Sequence, residues 1–224
     1  MSNLTLLIPA KKEAESLPVF LNELEGYEYE KLIVMDKEDI ETSNSIKNFN
    51  NIKILHQEKL GYGNALIEGI NNIKTEYFCI INADGSMDPS ELKKMLSKIQ
   101  NDNYDVVFAS RYMKNAGSDD DDLLTLVGNF FFTKIGKFFF KLQISDILYT
   151  YVLGKTKLVK NLNLINGDFK ICVELPIKTH TNNLSYISIP SFERKRIAGK
   201  KKVSPFSDGF KIFLEMINLF FKKN

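Results

Sequence analysis

The sequence is poor in the residues that build most metal and redox centres. Its 224 residues include two cysteines and two histidines. Cys79, inside an apolar run, and Cys172 offer neither a disulfide framework nor a zinc spacing, and His56 and His180 lie far apart. An excess of one charge is missing too. Thirty Lys and Arg against 28 Asp and Glu leave a formal charge of +2, which gives no global footprint for nucleic acid and makes any electrostatic work local. No basic leader precedes the first apolar run, which ends at Pro9 and is too short for a signal peptide. These absences predict a cytoplasmic protein in a reducing compartment, with no nucleic-acid partner.

What is present is an ordinary core-forming composition, 44% hydrophobic, arranged in short β-rich runs. The runs are "LTLLIPA" (4–10), "KLIVMD" (31–36), "NIKILHQ" (51–57), "YFCIINAD" (77–84) and "YDVVFASRY" (104–112). Segments with helical spacing separate them, which predicts βαβ units and a mostly parallel central sheet flanked by helices. After Asp84, Asp88 is a side-chain acceptor for free amides, Pro89 suits the first helical position and Glu91 follows three residues after the cap. Ligands of open α/β sheets bind at the carboxyl ends of the strands. Pro9 to Glu13, Asp36 and Asp84 are therefore expected on one edge.

From Leu123 the texture changes to "LLTLVGNFFFTKIGKFFFKL" (123–142). Asn129, Lys134, Lys137 and Lys141 interrupt it, and a spanning segment is penalised for central charges. Lys134, Lys137 and Lys141 share one helical face, with Phe131, Ile135, Phe138 and Phe139 largely elsewhere. Two readings stand: a helix lying on a membrane surface, or an amphipathic helix that covers the sheet or makes a homo-oligomer contact. The C-terminal "DGFKIFLEMINLFFKKN" (208–224) repeats the pattern and admits the same two.

Taken in order, six segments resemble the family 2 glycosyltransferases, in particular the dolichol-phosphate mannosyltransferase-like branch. "LLIPAKKEAESL" resembles the opening strand and Pro-Ala-x-Asn-Glu turn, with Lys12 where Asn is usual. "LIVMDKED" is similar to the strand ending in an Asp pair, Asp36 matching the first and Lys37 replacing the second. "KLGYGNALIEGI" resembles the Gly-x-Gly-x-Ala segment, "INADGSMDP" the Asp-x-Asp region and "VVFASRY" the strand ending in Ser-Arg. "SIPSFERKRIAGKKKVSPFSDGF" is similar to the late Arg-x-x-Gly-x-x-Lys segment.

The resemblance implies a GT-A type fold and inverting transfer of a sugar from a UDP- or GDP-linked donor to a lipid-linked or glycan acceptor. It divides the single domain into a nucleotide-sugar-binding half (1–122) and an acceptor-side half (123–224). By the same resemblance Pro9, Ala10, Glu13, Asp36, Gly61, Gly63, Asn82 and Ala83 line the nucleotide. Asp84, Arg111, Arg196 and Lys202 are the catalytic candidates, and Asp84 with Ser86 holds Mg²⁺ or Mn²⁺. Such cations accept a site with one or two carboxylates, because phosphate and water complete the shell. The implied setting is cell-surface glycan or glycolipid synthesis, at the inner face of the membrane.

Several positions depart from that pattern. The branch's phosphate-gripping arginine and serine are replaced by "GSDDDDLLT", and four aspartates repel a phosphate acceptor. One of Asp119 to Asp122 would instead serve as base for a hydroxyl acceptor, against the alternative of a solvated acidic loop. After Asp146, Thr150-Tyr151-Val152 replaces Gly-Phe-Arg. Asn82 and Lys37 motivate a second reading of the whole chain, a nucleotide-sugar-binding protein without catalysis.

Overall fold

The structure, a computed structural model, describes residues 3–223. Its first half alternates β1 (Leu4–Ala10), α1 (Ser16–Glu23), β2 (Glu30–Met35), α2 (Ile40–Ser45), β3 (Lys53–His56), α3 (Tyr62–Asn72), β4 (Tyr77–Ile80), α4 (Leu92–Gln100) and β5 (Val106–Ser110). There follow β6 (Gly117–Ser118), α5 (Leu123–Phe140), β7 (Val152–Lys155), α6 (Thr156–Lys160), α7 (Ile171–Thr181), β8 (Tyr186–Pro190), β9 (Phe192–Glu193) and α8 (Pro205–Lys223). Seven strands form one sheet in the order β3-β2-β1-β4-β7-β5-β8, and β6 pairs with β9 in a separate ribbon. All pairings in the large sheet are parallel except those of β7, which runs antiparallel between β4 and β5.

Strand alternation sorts the core onto two faces. Leu7, Phe78 and Ile80 point into one cluster, closed by Leu66 and Ile70 of α3, Phe132 and Phe140 of α5, Val173 of α7 and Met216 of α8. Leu6, Ile8 and Cys79 point the other way, where Leu17 and Phe20 of α1 and Leu92, Met95 and Ile99 of α4 meet them. The sheet is thus covered on both sides, and the central strands read as continuous apolar runs for that reason. Removing the Phe78 side chain, fully buried at the centre, would cost about 3–5 kcal/mol.

Local chemistry sets the element starts that matter for the site. Asp39 caps α2 by accepting from the Thr42 amide, and Asp88 accepts from Ser90 ahead of Pro89 in the turn that leads into α4. Asp122 accepts from the Thr125 amide at the start of α5, and the helix ends where Lys141 adopts a left-handed conformation (φ 59°). Within α5, Asn129, Phe132, Thr133, Gly136 and Phe140 face the core. Leu123, Val127, Phe130 and Phe138 stay exposed. Alongside runs α8 in the same direction, with Phe131 against Phe213 and Phe139 against Phe220. Among the described residues α5 is the one helix long and apolar enough to cross a membrane, with a mean hydropathy of 1.3.

Candidate active site

The carboxyl ends of β1, β2 and β4 are neighbours in the sheet, so Pro9 to Glu13, Asp36 and Asn82 to Ser86 share one edge. Asp84 leaves β4 in a tight turn: its Oδ1 accepts from the Ser86 amide at 3.1 Å, and Gly85 adopts φ +74°. A side chain at Gly85 would be strained twice over, by that φ and by overlap with Ile197. Asp84 is thus a turn aspartate, and its second oxygen is engaged elsewhere. Arg196 Nη1 lies 3.3 Å from Asp84 Oδ2.

The late basic segment is laid directly against this turn. Arg194 donates its amide to the Ser86 carbonyl and Ile197 its amide to the Asp84 carbonyl, both at 2.8 Å. The Arg194 guanidinium also reaches the Gly85 carbonyl and Glu23. Lys202 Nζ bonds Glu13 Oε1 at 2.8 Å, and Glu13 is held further by Ser16 Oγ and, through its amide, by Thr42. The motifs around Glu13, Asp84, Arg196 and Lys202, scattered over the sequence, form one surface.

The acidic run joins them. Asp120 accepts from Arg196 Nε at 3.1 Å and Nη2 at 2.7 Å, a bidentate pair, so one guanidinium bridges Asp84 and Asp120. Burial opposes the Arg196 charge, but the hydrogen bonds to Asp120 and the charges of Asp84, Asp120 and Glu13 outweigh it and raise its pKa. The Asp120 and Asp121 side chains are only 9% and 7% exposed, which removes the solvated-loop reading for these two. Lys201 lies within 4.0 Å of Asp120, Asp121 and Asp122.

Arg111 stands one layer deeper. Its Nε and Nη2 make a bidentate pair with Asp146, Nη1 meets Asp121 and Glu193 at 3.2 and 3.1 Å, and Tyr149 stacks 4.6 Å from it. With its guanidinium committed to three carboxylates, it positions the 119–122 and 193–196 segments. Burial raises the Glu193 carboxyl above the usual range, against the pull of Arg111.

The remaining sequence candidates have other neighbours. Asp36 accepts from the Glu38 amide in a turn of its own. Pro9 and Ala10 end β1 in register with Val34 and Met35. Ala83 is buried beside the Asp84 turn. Asn82 accepts from Tyr62, whose hydroxyl also bonds Thr150 at 2.6 Å, so its side chain is tied to α3 and not to Asp84. Gly61 and Gly63 seat the 166–168 loop: a Cβ on either would overlap the Gly167 or Asn166 carbonyl oxygen, and the Asn64 amide bonds Gly167. Sequence reasoning missed Asp39, which receives the Lys12 amide at 2.6 Å and fixes the β1 turn, and Glu193. Only a helix-cap pattern at Asp39-x-x-Thr42 pointed to the first, and no local signal marked the second.

The sequence pattern of glycosyl transferase family 2 matches residues 5–162. The chain belongs to this family. An uncharacterized glycosyltransferase of Mycobacterium tuberculosis is 28% identical to this chain over 96 residues, 42% of this chain and 43% of that protein. One from Mycobacterium bovis matches to the same extent, so the similarity spans under half the length of these relatives. In fold, the chain is similar to glucosyl-3-phosphoglycerate synthase of M. tuberculosis solved with Mn²⁺, UDP and phosphoglyceric acid: TM-score 0.69 at 11% identity, over 98% of this chain and 78% of that one. The same synthase bound to UDP-glucose, Mn²⁺ and phosphoglyceric acid gives a TM-score of 0.70 at 10% identity, over 97% and 79% of the two chains. The architecture is the GT-A fold that the sequence motifs predicted.

The residues fit a divalent cation of one kind. Among the described residues no group of three or more His, Cys, Asp and Glu is arranged to hold a metal, which excludes an all-protein cage. Asp84 suits Mg²⁺ or Mn²⁺ bound mainly through a substrate's phosphates. The linked cluster also contains six carboxylates (Asp84, Asp120, Asp121, Asp122, Asp146, Glu193) against three cations (Arg111, Arg196, Lys201). Its negative excess favours a cation there.

Proposed function

We propose that the transferase moves a sugar, with inversion, from a nucleoside diphosphate donor to a hydroxyl of a lipid-linked or glycan acceptor. The observation that carries this reading is the bridge from Asp84 through Arg196 to Asp120, a phosphate-side carboxylate and a candidate base one guanidinium apart. Glu13 and Asp36 bind the nucleoside at the ends of β1 and β2. Asp84 holds the cation, Mg²⁺ or Mn²⁺, which when bound offsets the charge that develops on the departing diphosphate. Arg196 and Lys202 donate hydrogen bonds to that diphosphate as the glycosidic bond breaks and its electron pair leaves with the phosphate. Asp120 accepts the acceptor's hydroxyl proton while the oxygen attacks the anomeric carbon from the opposite side. A phosphate acceptor is disfavoured, because Arg111, Arg196 and Lys201, which face the acidic run, are already paired with it.

The direct test is binding and turnover of UDP-, GDP- and CDP-sugars with and without Mn²⁺. Metal-dependent binding of one nucleotide, with hydrolysis or transfer lost in Asp84→Ala, supports the assignment. Binding without any turnover across hydroxyl acceptors supports the non-catalytic reading instead. Asp120→Asn separates the base from the donor site, because it removes transfer and leaves nucleotide binding in place.

We further propose that the exposed face of α5 and α8 lies on an anionic membrane surface, which fits a lipid-linked acceptor and a location at the inner face of the cell membrane. Phe138, Phe206, Phe210 and Phe221 are 64–80% exposed, and around them lie exposed Lys134, Lys137, Lys141, Lys211 and Lys222, with Asp208 largely buried and paired to Lys211. The charge pattern suits acidic headgroups better than a second copy of the same basic face. Sedimentation with phosphatidylglycerol vesicles, weakened in Phe138→Ser/Phe206→Ser and absent with phosphatidylcholine, is expected. A concentration-dependent dimer without vesicle binding would assign the face to self-association.

A further inference from the structure

The bridge poses a chemical problem for the reaction proposed above. Asp120 can take a proton only through an oxygen lone pair facing the acceptor, yet Arg196 Nε and Nη2 hold both of its oxygens. Asp84 can bind a cation only if its Oδ2 is not shared with a second positive charge, yet Arg196 Nη1 lies 3.3 Å from that oxygen. One side chain therefore blocks both functions. The three groups are 18%, 10% and 9% exposed, so water screens their interactions weakly.

The main chain beside them is fixed more firmly than this side chain. Arg194 and Ile197 bond the 84–86 turn through their amides, Ile197 packs on Gly85, and Lys202 clasps Glu13. Between these anchors Arg196 is attached only through its guanidinium, at the end of a long flexible stem.

We infer that Arg196 is an exchangeable counter-ion: a divalent cation arriving on Asp84 expels its guanidinium, which turns to the donor diphosphate and uncovers Asp120. The exchange is a side-chain movement against a stationary segment. It couples cation loading to base activation and gives the displaced guanidinium a new partner when the donor diphosphate is in place. This inference rests on the donor-site reading above, and it makes a prediction about metal binding that does not involve turnover.

The test is Mn²⁺ affinity without nucleotide, read from the electron paramagnetic resonance signal of free Mn²⁺, on the intact chain. Arg196→Gln is expected to bind Mn²⁺ at least tenfold more tightly than the parent, and Arg196→Gln/Asp84→Asn is expected to lose that gain. Arg196→Lys, which keeps the charge without the fork, falls between. Lys201→Gln is the control for general field effects: it removes a cation 4.0 Å from Asp120 that does not touch Asp84, and should change the affinity less than twofold. An equal gain in Lys201→Gln, or none in a folded Arg196→Gln, overturns the exchange. If the parent nevertheless binds Mn²⁺ with a nucleoside diphosphate in an Asp84-dependent way, the donor-site reading survives that failure. If no variant binds Mn²⁺ even with nucleotide, both fall.

Discussion

Lys202 Nζ and Glu13 Oε1 stand 2.8 Å apart, joining a turn after the first strand to a loop near the end of the chain. The lysine is one-third exposed and the carboxylate 10%, so as an ion pair it contributes about 0.2–1 kcal/mol. Lys202→Met should lower the melting temperature by no more than about 4 °C. Its effect on donor binding is expected to be larger, at least about tenfold, because a charged hydrogen bond to phosphate is worth about 1.5–3 kcal/mol. Scanning fluorimetry beside calorimetric titration with UDP, GDP and CDP separates the two. A large thermal loss with unchanged affinity would make Lys202 a structural clasp only.

Arg111 is predicted to behave in the opposite manner. Its replacement by methionine leaves Asp146, Glu193 and Asp121 buried without their shared cation. The expected cost is about 3–5 kcal/mol, read from urea unfolding. Asp146→Asn in the Arg111→Met background should recover part of it, since two changes within one network are not additive.

Gly63→Ala directs a methyl group at the Asn166 carbonyl and should destabilise by about 1–3 kcal/mol. Gly26→Ala has open space around its new methyl and serves as the control, with a change within about 0.5 kcal/mol. Thermal melts of the two decide whether the Gly-Tyr-Gly segment is a loop seat. If Gly63→Ala melts with the parent and instead weakens nucleotide binding, the glycine serves the ligand.

The cap of α5 predicts a pH signature. The Thr125 amide, then its hydroxyl and Lys201, hold the Asp122 carboxyl below the usual carboxylate range. A depressed carboxyl contributes stability that is present above its unfolded value of about 3.9 and is lost as pH falls through the folded one. Asp122→Ala should therefore cost about 0.5–2 kcal/mol at neutral pH, and the gap to the parent should close in acid. Asp122→Asn, which retains an acceptor oxygen, should keep most of the cap. A gap that persists at pH 2 would point to lost packing and not to the carboxylate.

The first half was readable because its signals are local. Five apolar runs became β1 to β5, and Asp88 with Pro89 marked the turn before α4. The second half hid its strands and two helices, α6 and α7. β7 is four residues with Gly154 inside, a residue needed because a Cβ there would crowd Phe78 and Val159. α7 carries Pro176 in its interior, which argues against a helix on sequence grounds. Within the site, motif order pointed to Asp84, Arg196 and Lys202, which the fold brings to one surface. It could not show that Arg111 is enclosed by acids, since Asp121, Asp146 and Glu193 are 10, 35 and 82 residues away.

The reversed polarity of β7 has its own consequence for how such a fold can be rebuilt. Because Val152 pairs with Ile80 and Lys155 with Tyr77, β7 begins where its neighbour β4 ends. Its leading residues, Asp146 to Tyr151, thus emerge on the ligand edge, whereas a parallel strand would have delivered them to the opposite side. The stretch between β5 and β7 is a continuous insertion in the order of the sheet, tied back to the later chain by β6 on β9, α5 on α8 and the Arg111–Glu193 pair. Exchanging 111–151 between relatives would leave β1 to β4 untouched but would have to carry matching partners for Glu193 and Arg196.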